Sequence, residues 1–242
     1  MYKDHPLFQQ ISNDTKIWRY LNKEKICSLL QKKSLFFAKA SVLKDAFEGR
    51  YPHKYPKSEG AAFGRAAFGR TRFGQSQNYI PKEMKDLVYI CSFTINEYES
   101  EVLWKNYLQG SEGAAIQTTL QGLKSCFDAS EEEEIFIGKV DYLDYNSESF
   151  NEESNLFYPF LHKKVEYIHE SELRAITTRF LPSREKIVNG IFIPISLQNL
   201  LEKIVLSPSA SKDFEEQLTS LCTNKGLENM VIHSTLEDKP KW

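Results

Sequence analysis

Two carboxylates, Glu170 and Glu172, lie two residues apart where a charged stretch of the chain gives way to an apolar one. If a strand begins here, side chains alternate between its faces, so both acids and Arg174 share one face while Leu173 points to the other. Lys163, earlier in the same stretch, adds a second base to this polar cluster. Two acids and a base on one strand face predict either a catalytic site or a solvated network of ion pairs.

Composition limits the kinds of protein this chain can be. Its 242 residues are 41% hydrophobic and 13% aromatic, which is enough for a sizeable core. The 31 basic and 33 acidic residues leave a net charge of −2, so a bulk electrostatic affinity for nucleic acid is not indicated, although a local basic patch remains compatible with it. No apolar run approaches the roughly 18 residues that span a bilayer, and the N-terminus lacks a leader, so a soluble, cytoplasmic protein without membrane contact is expected.

Metal and redox chemistry have little support in the sequence. The four cysteines are scattered without a Cys-x-x-Cys pair. Three of them lie among apolar residues and are expected to be small core residues in a reducing compartment. The five histidines show no metal-ligand spacing, and no metal site is predicted. His162 and His169 are expected to be solvent-exposed.

Hydrophobic patterning predicts an α+β fold with a mixed, mostly antiparallel central sheet and helices packed on it. Asn22 and Ser196 are expected to cap helices, the second running to about residue 204. Asn96-Glu97-Tyr98-Glu99 is expected to form a capping box, with Asn96 as the cap and Glu99 at the third helical position. A further helix is expected from residue 212 to the glycine at 226. The predicted strands are 17–20, 34–38, 87–94, 113–118, 135–140, 190–195 and 231–233.

A repetitive segment interrupts this pattern. Phe63, Phe68 and Phe73 recur every five residues, each followed by glycine, with arginines interleaved. Five is neither a helix nor a strand period, so the segment of about residues 50–85 is expected to be a mobile insertion. The whole chain, residues 1–242, is expected to form a single domain. The interleaved arginines and phenylalanines could also contact phosphates and bases.

Short motifs occur along nearly the whole chain. They are Trp18-Arg19-Tyr20, Leu35-Phe36-Phe37-Ala38, Phe47-Glu48-Gly49, Cys91-Ser92-Phe93, Trp104-x-x-Tyr107, Glu112-Gly113, Lys163, Glu170-x-Glu172-x-Arg174 and Ser207-Pro208. In these motifs the chain resembles a prokaryotic domain family of unknown function, number twenty-nine seventy-one. The resemblance covers nearly the whole chain outside about residues 50–85, and it implies an effector of a phage-defence or toxin system. The chain departs from the family pattern at Ala46 and Tyr167.

The polar motifs follow one another in the order Arg19, then Ser92-Phe93-Thr94, then Glu170-Ser171-Glu172. This order also resembles the arginine-first ADP-ribosyltransferases, in which an arginine precedes a Ser-x-Ser/Thr strand and a Glu-x-Glu pair. The resemblance implies NAD as the cofactor and a nucleotide substrate, with a protein or nucleic acid as the acceptor. It makes Glu172 the catalytic carboxylate, with Glu170 orienting or deprotonating the acceptor.

The remaining roles follow from the same resemblance. Arg19 would hold a pyrophosphate or ribose, Ser92 would brace the site, and Trp104 or Tyr107 would stack on nicotinamide or adenine. The supporting polar cluster is Glu48, Lys163 and Arg174. The spacing of Trp104 and Tyr107, three residues apart on a predicted helix, favours an ordinary core face over cofactor stacking.

Three other interpretations stay open at this point. The charged residues fit a network of ion pairs that only fixes the fold. They also fit a metal-dependent nuclease in which Glu48, Glu170 and Glu172 chelate magnesium, although the acid-x-lysine pair of such enzymes is missing. A non-enzymatic sensor or partner-binding module would use the Phe-Gly-Arg repeat as its contact surface.

Overall fold

A nine-stranded sheet lies at the centre of the computed structural model, which describes residues 1–6, 8–43, 45, 49, 82–128, 133–146, 157–179 and 189–236. Its path runs β11-β10-β4-β1-β3-β2-β9, and β8 joins β3 and carries β5. β6 and β7 form a separate parallel pair. The strands are β1 Lys16–Asn22, β2 Ser34–Lys39, β3 Val88–Ile95, β4 Gly113–Thr119, β5 Phe136–Lys139, β6 Asp141–Leu143, β7 His162–Lys164, β8 Glu172–Thr178, β9 Gly190–Pro194, β10 Lys203–Leu206 and β11 Val231–His233.

The predicted fold class is confirmed. Within the nine-stranded sheet, β10 and β11 run parallel and the other paired strands run antiparallel. Helices pack on both faces, which makes this an α+β fold with a mixed, mostly antiparallel sheet. The helices are α1 Lys23–Lys32, α2 Lys82–Lys85, α3 Glu101–Leu108, α4 Leu120–Ser125, α5 Leu197–Leu200 and α6 Lys212–Thr223, with 3-10 helices at Ala40–Val42, Tyr158–Phe160 and Val165–Glu170.

One face of the sheet is covered by α1, α4, α5 and α6. As predicted, the Asn22 side chain caps α1 by accepting a hydrogen bond from the Lys25 amide. The apolar sides of α1 and α6 then close over odd-numbered residues of β3 and β8, such as Phe93 and Leu173, to form the main core. The cysteines at 91, 126 and 222 are buried in this core, as expected.

The opposite face of the sheet carries two smaller apolar clusters with polar residues between them. In one cluster, Trp18 and Tyr20 of β1 pack against Trp104 of α3. In the other, Val88 and Ile90 of β3 pack beneath the segment around the 3-10 helix Tyr158–Phe160. The even-numbered residues of β3 and β8 that lie between these clusters are polar, and this polar strip is Ser92, Thr94, Glu172 and Arg174.

The sheet divides at β3. One edge of β3 pairs with β8 from Val88 to Thr94. The other edge is shared, because β1 pairs with Thr94 and Ile95 while β2 pairs with Tyr89 and Ile90. The strands β1 and β2 therefore diverge beside residues 91–93, and we call this opening the fork.

Several local predictions are wrong. The helix after Ser196 ends at Leu200, because the β-branched residues that follow enter the sheet as β10 against β4. Ser100, not Asn96, caps α3, since Glu99 instead accepts hydrogen bonds from the Trp104 indole and from residues after β11. His162 is 1% exposed rather than solvated.

Other predictions fall outside the described residues. These are the Phe-Gly-Arg repeat, all of the proposed insertion up to residue 81, and Glu48. In the described part of the chain, no helix has the length and apolar character needed to cross a membrane.

Candidate active site

The polar strip is assembled by the pairing of β3 with β8. In this antiparallel register, Ser92 lies opposite Arg174 and Thr94 lies opposite Glu172. All four side chains therefore emerge on the same face, because residues directly opposite in a ladder point the same way. Two more elements, β7 and the 3-10 helix Val165–Glu170, bring further charges to this strip.

Glu172 is the centre of the strip and is only 4% exposed. Its Oε2 accepts hydrogen bonds from the Ser92 hydroxyl at 3.1 Å and from Arg174 Nε at 2.6 Å. Its Oε1 accepts from Lys163 Nζ at 2.6 Å. Its backbone amide donates to the hydroxyl of Tyr142 in β6 at 2.8 Å. Both carboxylate oxygens and the amide of Glu172 thus have fixed positions.

Glu170 reaches the same lysine from a different direction. Lys163 Nζ donates to Glu170 Oε2 at 2.6 Å, the same distance as its bond to Glu172. Strand β8 begins only at Glu172, and Glu170 ends a 3-10 helix, so strand alternation does not bring the two acids together. Ser171, with φ 42° and ψ 51° in the left-handed region, turns the chain between them.

Arg174 anchors the strip to the 3-10 helix Tyr158–Phe160, which packs over it. Its side chain is 2% exposed, and Nη1 donates to the Phe160 carbonyl oxygen at 2.6 Å while Nε holds Glu172. A buried guanidinium needs both an anion and further acceptors to repay the loss of water, and this geometry supplies both.

The pKa values of the two acids are shifted in opposite directions by burial and by their charged neighbours. Burial alone would raise the pKa of Glu172, but Arg174 and Lys163 outweigh burial and hold that pKa well below its usual range. Burial, and then the neighbouring Glu172, raise the pKa of Glu170 even though Lys163 opposes the change. The pKa of Lys163 is raised, because the attraction of Glu172 and its hydrogen bonds to both acids exceed the effect of burial.

Arg19 lies in the fork and not on the polar strip. Its Nη1 donates to Cys91 Sγ, and its Nη2 donates to the Phe36 carbonyl oxygen of β2 at 3.2 Å. Its guanidinium carbon also lies 5.5 Å from the centre of the Phe93 ring. Burial lowers the pKa of Arg19 to about 10, so the side chain remains charged at neutral pH.

The two aromatic residues of α3 differ in their surroundings. Trp104 is 4% exposed, packs edge-on to Tyr20 with ring centres 4.8 Å apart and donates its indole N–H to Glu99. Tyr107 is 46% exposed. Burial of its hydroxyl end, followed by the charges of Glu172 and Glu170, raises the pKa of Tyr107 to about 12. Tyr107 therefore borders the polar strip, while Trp104 belongs to the core.

The strip does not have the form of a metal site. Among the described residues, no group of three or more His, Cys, Asp and Glu is arranged to hold a metal ion. The ammonium of Lys163 already stands between Glu170 and Glu172, in the position that a cation shared by the two acids would take.

Most of the residues expected at the site meet there. Direct hydrogen bonds join Ser92, Lys163, Glu170, Glu172 and Arg174, while Tyr107 borders them and Arg19 lies in the adjacent fork. Sequence patterns missed Tyr142, and also Tyr167, whose ring centre is 5.2 Å from Lys163 Nζ. Tyr142 lies in no recognisable motif, and Tyr167 stands out in the sequence only as a departure from the resembled family's pattern. The positions of both depend on contacts between distant elements.

Comparisons with known proteins add little to this geometry. No protein-family model matches the chain, so the resemblance to the family of unknown function gains no support, and no curated protein matches it significantly. Among solved structures, Thermus sp. 2.9 DarT in complex with ADP-ribosylated ssDNA aligns over 94% of this chain and 97% of that one, at 10% identity and a TM-score of 0.40. A likeness at that level establishes neither a shared fold nor a shared activity.

Proposed function

We propose that this chain is an ADP-ribosyltransferase-like enzyme that cleaves the bond between nicotinamide and ribose in NAD, as an effector of a toxin or phage-defence system. One observation carries the proposal. Glu172 is a buried carboxylate held by the Ser92 hydroxyl across two strands and kept ionised by two cations. Cleavage of this bond develops positive charge on the ribose, and a fixed negative charge stabilises that charge most effectively where water is excluded.

Arg19 is suited to bind the pyrophosphate. Its hydrogen-bond acceptors, Cys91 Sγ and the Phe36 carbonyl, are formally neutral groups, so they do not cancel the guanidinium charge. A planar guanidinium with several N–H donors favours phosphate oxygens. The fork beside the polar strip would then receive the anionic part of NAD.

Glu170 and Tyr107 complete the proposed site. The Glu170 side chain is 20% exposed and its pKa is raised, so it can take a proton from an incoming acceptor. Tyr107 presents a partly exposed ring next to the two acids and can stack on nicotinamide or adenine. The acceptor in this proposal is a protein or a nucleic acid.

Release of nicotinamide from NAD by the purified protein tests the proposal. Wild type would be compared with Glu172→Gln, which keeps the shape of the side chain and removes its charge. Glu133→Gln is the matched control, because Glu133 is also buried and also holds an arginine, Arg179 at 2.5 Å, but lies outside the polar strip. Circular dichroism and thermal unfolding would establish that each variant is folded.

Wild type and Glu133→Gln are expected to release nicotinamide. In folded Glu172→Gln the rate of release should fall by at least about 100-fold, the effect typical of removing one group that stabilises charge in the transition state. Calorimetric titration with NAD separates binding from chemistry. A folded wild-type protein that neither binds NAD nor releases nicotinamide with protein or single-stranded DNA acceptors would contradict the proposal.

A further inference from the structure

Lys163 contacts both acids of the site at once. Its ammonium lies 2.6 Å from Glu170 Oε2 and 2.6 Å from Glu172 Oε1, on a side chain that is 11% exposed. Arg174, the other cation, lies 2.6 Å from Glu172 Oε2. Glu172 thus has two cationic partners, while Glu170 shares one of them.

We propose that Lys163 is a positioning residue that gives the two acids different roles. It keeps Glu172 permanently negative, and it leaves Glu170 free to take the proton from the molecule that receives ADP-ribose. This role rests on the proposed function. In that reaction the acceptor's electron pair forms a bond to the ribose carbon, and the electron pair of the broken C–N bond leaves with nicotinamide, which departs neutral. The proton released by the acceptor goes to Glu170, which returns it to solvent.

The fold makes the division depend on Lys163. Ser171 holds a left-handed conformation, so the chain reverses between the two acids and directs both toward the same ammonium. Two carboxylates this close cannot both remain ionised without a cation between them, because each raises the other's pKa. Without Lys163, Arg174 would continue to hold Glu172, and Glu170 would retain the proton.

Within the part of the chain that the structure describes, the other groups around Glu170 do not replace this lysine. Glu172 faces it from β8, Tyr107 from α3 and Tyr142 from β6. Tyr167 and His169 belong to its own 3-10 helix. Arg174 is already committed to Glu172 and to the Phe160 carbonyl. Burial raises the pKa of Tyr107 and of Tyr142 to about 12, so neither hydroxyl carries a charge near pH 7.

The test is a titration of the Glu170 side-chain carboxyl by carbon-13 NMR, with Glu170→Gln used to assign its signal. In Lys163→Met the midpoint should rise by about 1–3 pH units relative to wild type, the range by which one adjacent opposite charge shifts a carboxyl. Lys163→Arg should restore most of the difference. Lys39→Met is the control, because Lys39 is a similarly buried lysine, 13% exposed and 3.8 Å from Asp86, on a different part of the sheet.

Several results would overturn the proposal. One is an unchanged Glu170 midpoint in folded Lys163→Met. If that variant does not fold, Lys163→Gln, which keeps a hydrogen-bond donor without the charge, takes its place with the same criterion. In wild type alone, Glu170 and Glu172 titrating together at a single midpoint would also overturn it.

The NMR titration needs no turnover, so its result stands apart from the activity test. A protein that shows the expected titrations but never releases nicotinamide would refute the proposed function and leave the charge arrangement intact. If nicotinamide is released, the acid limb of its pH profile should move upward in Lys163→Met by the same shift that NMR reports.

Discussion

Ser92 and Glu172 are 80 residues apart in the chain, yet the serine hydroxyl donates a 3.1 Å hydrogen bond to the glutamate carboxylate. The β3–β8 register places Ser92 directly opposite Arg174, so Glu172 is its diagonal neighbour. A slip of one residue would turn Glu172 toward the main core, where burial of a charge is prohibitive. The pairing of these two strands therefore determines whether the site exists.

Replacing Ser92 with alanine should leave the fold intact and weaken the site. Loss of one hydrogen bond to a charged group is expected to lower the free energy of unfolding by about 1.5–3 kcal/mol, near the lower end because Ser92 is half-buried. Nicotinamide release should fall by roughly 10-fold, a loss of about 1.4 kcal/mol in transition-state stabilisation. Urea unfolding and the release assay measure the two effects. Ser34→Ala is the control, since that strand serine donates to a backbone carbonyl, that of Lys32, and not to a carboxylate of the strip. Equal activity loss in both variants would remove Ser92 from the site.

Arg174→Met should be among the most destabilising single changes in the strip. Removal of one partner from a buried ion pair costs about 3–5 kcal/mol, and here the Phe160 carbonyl also loses its donor. Lys163 still neutralises part of the Glu172 charge, which favours the lower end of that range. Urea unfolding would measure the change. Arg179→Met removes the 30% exposed arginine of the Glu133 pair and should lower the free energy of unfolding far less. Similar losses in the two variants would contradict the conclusion that Arg174 is a buried anchor of the strip.

The sequence predicted the sheet well because the core strands carry strong local signals. Apolar runs and alternation located β1, β2, β3, β4 and β9, and the Asn22 cap located the start of α1. The prediction that the helix after Ser196 runs to about residue 204 was wrong. The segment Lys203–Leu206 forms a strand because it pairs with β4, and its own propensity does not reveal that pairing.

The site was predictable only in part, for a different reason. The spacing of Glu170, Glu172 and Arg174 correctly indicated a shared location, although the left-handed turn at Ser171 and not strand alternation produces it. Nothing local in the sequence marks Tyr142, which reaches Glu172 from another strand. Likewise, Trp104 and Tyr107 are three residues apart, and only tertiary packing sends one into the core and leaves the other beside the acids.

Trp104 and Tyr107 should therefore respond differently to truncation. Trp104→Phe is expected to lower the free energy of unfolding by about 1–3 kcal/mol, because it leaves the partly buried Glu99 without one of its donors. Tyr107→Ala should change stability by less than about 1 kcal/mol, as its ring is partly exposed. It should instead raise the KM for NAD by about 10-fold, corresponding to roughly 1–1.5 kcal/mol of lost stacking. Steady-state kinetics and thermal unfolding of both variants test this, and an unchanged KM in Tyr107→Ala would refute stacking.

His162 should make the fold sensitive to mild acid. Its ring is buried, Nδ1 is hydrogen-bonded to the Tyr145 hydroxyl at 2.6 Å, and burial followed by the nearby Arg174 charge lowers its pKa from 6.5 to about 3. Between these two pKa values the unfolded chain binds a proton at His162 that the folded protein does not bind. The free energy of unfolding therefore falls as pH falls, by up to about 1.4 kcal/mol per pH unit. Most carboxylates titrate below the window from pH 6.5 to 5, and the shifts of His5 and Glu170 are common to the variants compared below, so differences between those variants report His162.

The matched variants are His162→Gln and His233→Gln, the second at an exposed histidine paired with Glu215. Urea unfolding across pH 6.5 to 5 should show the steep loss of stability in wild type and in His233→Gln. The slope should flatten in His162→Gln, whatever the absolute stability of that variant, because its buried side chain no longer titrates. His5, whose pKa burial also lowers, leaves a residual slope that is common to all three proteins. An undiminished slope in His162→Gln would show that the buried histidine is protonated in the folded state, and the ring would then need a second acceptor for the proton on Nε2.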